Sequence, residues 1–148
     1  MEFRSRPKSN YLQSAHWQEL HALATHWKSD MDFFEDELRF IDVLIDKYFK
    51  ALIEQENLGK IKVLAGKLRD VRSDRDVLAQ RISSHMHHIE DLMVNSFAHD
   101  ASSFRKEHEI LEDDLAKFVK SFRQIKHEVF QLTEAIARTE KGKHLISS

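Results

Sequence analysis

Apolar residues recur along most of the chain at alternating steps of four and three, the spacing of one face of a long α-helix. One such stripe extends over about residues 11–54, and two more follow over 60–95 and 103–139. The members of the first stripe are Leu20, Ala24, Trp27, Met31, Phe34, Leu38, Ile41, Ile45, Tyr48 and Leu52. The pattern predicts three long helices and no strand.

The second and third stripes contain a few polar members. The second comprises Ile61, Leu64, Leu68, Val71, Arg75, Leu78, Ile82, His85, Ile89 and Leu92. The third comprises Phe104, His108, Leu111, Leu115, Phe118, Phe122, Ile125, Val129, Leu132 and Ile136. We expect Arg75, His85 and His108 to lie on the seams where the helices meet.

The connections between the stripes are short, at 54–60 and 95–103, and the chain holds only three glycines and one proline. Long helices joined by short loops pack against each other as antiparallel neighbours. We therefore predict an all-α fold, an elongated up-down-up antiparallel bundle of three helices about 60 Å long. Residues 1–148 are expected to form one domain, with frayed tails at 1–10 and 141–148.

The charge distribution supports this pairing. Residues 1–57 carry seven basic and eleven acidic side chains, net −4, and residues 58–97 carry seven basic and five acidic, net +2. Folding the chain back near residue 57 brings the acidic block at 30–37 level with 76–83. We expect opposite charges to pair there and to help select the antiparallel register.

Further aromatic and aliphatic residues widen the first stripe on its flanks, among them Phe33, Phe40, Leu44 and Phe49. A face this broad suits two or more helical neighbours. It also permits pairing with a second copy through Phe33, Phe40 or Phe130, although a self-contained bundle is the expectation.

One segment of the first predicted helix resembles a known group of proteins. The stretch HWKSDMDFFEDELRFIDVLIDKY has a tryptophan, Trp27, followed by the aromatic pair Phe33–Phe34 and the acidic step Asp36–Glu37. In this it resembles the first long helix of uncharacterised small bacterial helical-bundle proteins. The resemblance implies a helical bundle in a bacterial cytoplasm, and it carries no activity or ligand.

Composition argues against several classes of protein. The chain has no cysteine, which fits a reducing cytoplasm and excludes thiolate metal sites. It has no signal-peptide pattern and no apolar run long enough to span a membrane. The basic stretch 60–81 is interrupted by acidic residues and lacks interleaved aromatics, so no nucleic-acid binding is predicted. No phosphate loop or nucleophile motif is present, so no catalysis is predicted.

The segment SSHMHHIED at 83–91 raises the question of a metal site. The predicted hairpins place His21 and His26 level with about 92 and 87, and His108 level with about 90. The candidate ligands are His21, His26, His85, His88 and His108, with Asp30, Glu90, Asp91 and Glu112 as nearby carboxylates. Such a set suits zinc or non-haem iron. However, the chain lacks the Glu-x-x-His pairs of ferritin-like proteins, and hemerythrin-like sites use four shorter helices.

Two other interpretations of the histidines remain open. They can be structural, or a buried His85 and His108 can make the fold sensitive to acid. For the protein as a whole we predict a structural or protein-interaction bundle without catalysis and without a cofactor, binding a protein partner or itself. The alternative is a histidine-rich bundle that binds zinc or iron.

Overall fold

The computed structural model describes residues 17–55, 58–94 and 101–147, with side chains described for 17–54, 58–94 and 101–138. Every described residue is helical, in three elements: α1 (Trp17–Gln55), α2 (Leu58–Val94) and α3 (Ala101–Ser147). The predicted ends agree within two residues, except that α3 continues past 139. No proline interrupts this extension, and adding residues to an existing helix costs little even at Gly142. The predicted start at 11 and the N-terminal tail lie outside the described residues.

Contacts between the helices establish the up-down-up order. His21 of α1 approaches Glu90 of α2, whereas Asp42 pairs with Arg72. As the residue number increases along α1, the residue number of its contact partner on α2 decreases, so α1 and α2 are antiparallel. Between α1 and α3 the partner numbers rise, from Trp17 with Phe104 to Phe40 with Phe130, so these two helices are parallel. The predicted all-α bundle is confirmed.

The three predicted stripes form the core of the bundle. Most of their apolar members are buried in one continuous cluster, which extends from Leu20 to Ile41 on α1 and includes the edge-to-face contact of Phe34 with Phe122. A second, smaller cluster of Ala51, Leu52 and Ile136 lies toward the C-terminal end of α1. The alternating four-and-three spacing therefore identified the buried face of each helix correctly.

Pairs of opposite charge link the helices, and one of them lies close to the place that the charge pattern predicted between α1 and α2. Arg75 of α2 lies 3.8 Å from Glu35 of α1 and also donates to the carbonyl oxygen of Met31 at 3.1 Å. On the other side of α2, the guanidinium of Arg81 lies 2.9 Å from the carboxylate of Asp114 on α3. Several basic residues of α2, including Arg72, Arg75 and Arg81, thus form ion pairs within the chain.

The broad apolar face of α1 has two helical neighbours, α2 and α3, as its breadth predicted, but its flanks are not fully covered. Phe33, Phe40 and Phe49 remain exposed to solvent. The reason is geometric, because α2 and α3 cover only the central stripe of α1. None of the described helices is long and apolar enough to cross a membrane.

Candidate functional site

The most unusual feature of the core is a pair of buried histidines. His85 of α2 and His108 of α3 occupy seam positions, and each side chain is almost completely shielded from solvent. Their rings meet directly, with His85 Nε2 2.7 Å from His108 Nδ1. A neutral imidazole has one N–H donor and one acceptor nitrogen, so one ring donates to the other, and the tautomers decide which. The pair thus satisfies two polar groups inside an apolar core.

Aromatic rings enclose the histidine pair. Phe104 stacks on His85 with ring centroids 4.4 Å apart and the planes inclined by 5°. Trp27 lies against His108 with centroids 4.7 Å apart, and its own Nε1 is buried without a hydrogen-bond partner among the described residues. Trp17 closes the other side of Phe104 edge-on at 5.4 Å. The enclosing rings therefore come from α1 and α3, whereas α2 contributes His85 itself.

This environment favours the neutral form of His85. Burial, followed by the nearby His88 and Arg81, lowers the pKa of His85 from its ordinary value of 6.5 to about 4. At neutral pH the ring is therefore uncharged. If both rings of the pair were fully protonated, all of their nitrogens would be donors and the bond between them would be lost.

A groove connects the pair to the surface. It lies between α2 and α3, has a volume of about 1450 Å³, and is lined by residues that include His85, His88, Arg81 and Ile110. Water and protons can therefore reach one edge of the buried pair without a large rearrangement of the helices.

The structure brings together only some of the five candidate metal ligands. His85 and His108 are in contact, and His88 lies one turn away from His85, edge-on to Phe104. His21 is separate from them and lies 3.3 Å from Glu90. His26 is exposed on α1. Glu90 also approaches His87 at 3.5 Å, so this carboxylate lies between two surface imidazoles.

The register of α3 differs from the predicted one. His108 was expected level with about residue 90 but lies opposite His85, a shift of five residues or about 7 Å along α2. The short connection at 95–103 limits this register without fixing it. Contacts between the side chains of the two helices determine the final position.

The geometry of the pair is that of a hydrogen bond. Two imidazole nitrogens on one tetrahedral zinc are about 3.3 Å apart, given Zn–N bonds of about 2.0–2.1 Å. The observed separation is 2.7 Å. Within residues 17–54, 58–94 and 101–138, no group of three or more histidine and acidic side chains is arranged to hold a metal ion.

A second candidate site is a row of residues on the solvent side of α1. Phe33, Asp36, Phe40, Val43 and Lys47 follow one another at steps of three and four, and we call this row the outer seam. Phe40 is 50% exposed and Val43 62% exposed. The sequence pattern places the aromatic members on a flank of the core, whereas the complete row becomes apparent only from the exposure of each residue in the structure.

Contacts below the outer seam hold its rings in place. Phe40 rests edge-on against Phe130 of α3, with centroids 6.3 Å apart, and Phe33 rests against Phe34 at 5.7 Å. Beside them, Lys126 of α3 forms an ion pair with Glu37. The exposed phenyl rings are therefore anchored on one side and open to solvent on the other.

Comparisons with known proteins identify no relative. No family model, curated protein sequence or solved structure matches this chain. A function must therefore be argued from the two sites themselves.

Proposed function

We propose that this chain is a non-catalytic protein-interaction module and that the outer seam of α1 is its contact surface. The observation that supports this proposal is the helical spacing of exposed apolar side chains, with Phe40 and Val43 at the centre. Isolated exposed apolar residues are common on proteins, whereas several of them on one helix face form a patch of the kind that serves for interaction.

The size of the exposed rings supports the same proposal. A phenyl side chain presents about 200 Å² of surface, so the exposed half of Phe40 offers about 100 Å² to a partner. Covering that area contributes about 2.5 kcal/mol at about 25 cal/mol per Å². Because Phe130 already restrains the ring, little side-chain entropy is lost on binding.

A cytoplasmic location belongs to the same proposal. It is supported by the absence of cysteine from the sequence, which is typical of proteins that remain in a reducing compartment.

Site-specific photocrosslinking in the cells that naturally express the chain tests the proposal. The photoreactive residue p-benzoylphenylalanine replaces Phe40 in one variant and Val77 in a control. Val77 is equally exposed, at 52%, but lies on α2 away from the outer seam. We expect a discrete crosslinked product from position 40 and none from position 77. If position 40 gives no product under conditions in which the protein is folded, the proposal is wrong.

A further inference from the structure

We propose that the occupant of the outer seam is a second copy of this chain, docked antiparallel so that residue i of one copy faces residue 83 − i of the other. This inference rests on the proposed function, because it names the partner of the same surface. The observation that supports it is the order of charged and apolar residues along the outer seam.

The two charged members of the outer seam have opposite signs and stand near its opposite ends. Asp36 is exposed, with its carboxylate 3.9 Å from the guanidinium of Arg39, and Lys47 is exposed beside the ring of Tyr48. In a parallel pair of copies, Asp36 would meet Asp36 and Lys47 would meet Lys47. In an antiparallel pair, each Asp36 meets a Lys47. Charge therefore favours the antiparallel arrangement.

The same register also matches the apolar members. When Asp36 of one copy is level with Lys47 of the other, Phe40 of each copy is level with Val43 of the other copy. Phe33 then lies level with Lys50, whose ammonium group can approach the face of the ring. One register thus satisfies the charged and the apolar positions together, and the surface is complementary to itself, as a twofold dimer requires.

No other described part of α1 offers a comparable row. Phe49 and Ile53 are also exposed, but Phe49 lies nine residues from Phe40 and so on the opposite side of the helix. Because the outer seam is one helix face rather than a complete core, we expect a reversible dimer whose population depends on concentration.

Disulfide crosslinking between different variants tests the register. The chain has no cysteine, so Asp36→Cys and Lys47→Cys each introduce one thiol. Positions 36 and 47 are about 16 Å apart along the helix, which is too far for a disulfide between like variants in the antiparallel dimer. After mixing and mild oxidation, we expect a disulfide dimer from the mixture and none from either variant alone. A disulfide dimer in each variant alone would indicate a parallel pair and would overturn the antiparallel register. No disulfide dimer in any sample would overturn the inference that a second copy binds the outer seam.

Sedimentation velocity tests the contribution of individual side chains. Phe40→Lys should raise the dissociation constant of the dimer at least about tenfold, because the ring lies close to the twofold axis and is lost from both copies. Val77→Lys is the matched control and should leave the constant unchanged. Asp36→Lys should weaken the dimer, and adding Lys47→Asp should restore it. Circular dichroism establishes that each variant is folded.

The outcomes separate this inference from the proposed function. If the purified chain stays monomeric and position 40 photocrosslinks to a different protein, the second copy is excluded as the partner and the interaction function stands. If position 40 crosslinks to nothing, both are wrong. A photocrosslinked product of twice the chain mass, together with the mixed disulfide, supports both.

Discussion

Replacing His85 by glutamine should remove part of the pH dependence of folding. Glutamine keeps a hydrogen-bond donor and acceptor near His108 but does not titrate. His85 is chosen because it is buried against Phe104 and its pKa is lowered to about 4. The titratable neighbours that act on it are His88 and Arg81 of α2, and the group facing it from α3 is His108.

The size of the stability loss at low pH follows from proton linkage. In the unfolded chain His85 titrates near 6.5, and in the folded protein it titrates near 4. As the pH falls below 6.5, the unfolded state takes up the proton first, so the stability present at neutral pH decreases. At about 1.4 kcal/mol per pKa unit, the loss is about 2 kcal/mol by pH 5 and about 3 kcal/mol below pH 4. Because carboxylates also titrate in this range, the informative quantity is the difference between wild type and variant.

Urea unfolding followed by far-ultraviolet circular dichroism measures that difference. We expect the free energy of unfolding of wild type to exceed that of His85→Gln at about pH 7.5. The difference between the two should be smaller by about 2 kcal/mol at pH 5. His87→Gln is the matched control, because His87 lies on the same helix with its side chain 82% exposed. A gap between wild type and His85→Gln that is the same at both pH values would refute the assignment of His85 as a buried neutral group.

Three further predictions concern packing, helix stability and metal binding. Gly66→Ala should raise the free energy of unfolding by about 1 kcal/mol in urea, because no neighbouring atom lies within 4 Å of an added Cβ; a loss of stability would contradict this. Phe104→Ala should cost about 3–5 kcal/mol in the same assay, whereas Phe33→Ser should cost less, because Phe104 is 2% exposed and Phe33 is 38% exposed. Zinc titrated calorimetrically into untagged protein should give no saturable heat, and stoichiometric binding that His85→Gln abolishes would contradict the hydrogen-bonded pair.

The buried faces of the helices were predictable because burial and periodicity have the same physical cause. A residue every three or four positions faces the same neighbour, so the stripes from Leu20 to Leu52 and from Phe104 to Ile136 identified the core. The α1–α2 register was predictable as well, since a short connection leaves little freedom and the pairing of Glu35 with Arg75 adds a charge preference.

The flanks of the stripes were less predictable. Phe33 and Phe34 are adjacent and identical, yet Phe34 is buried against Phe118 and Phe33 is partly open. Adjacent residues on a helix differ by about 100° in direction, and only the position of α3 decides which direction is covered. A hydrophobic pattern cannot distinguish a flank that the same chain covers from one that remains available to a partner.

The histidine pair also helps to explain the register of α3 against α2, which the length of the connection between these helices does not determine. Sliding α3 by one heptad against α2 would place His85 opposite Ala101 or Leu115, and the two imidazoles would no longer meet. Each buried polar group that loses its partner costs about 1–3 kcal/mol, whereas the apolar positions of the seam would again face apolar positions, because its repeat is the heptad itself. A leucine pair at these positions would give tighter apolar packing but no such discrimination between registers. In the proposed dimer, Asp36 and Lys47 likewise discriminate between orientations that Phe40 and Val43 alone would allow.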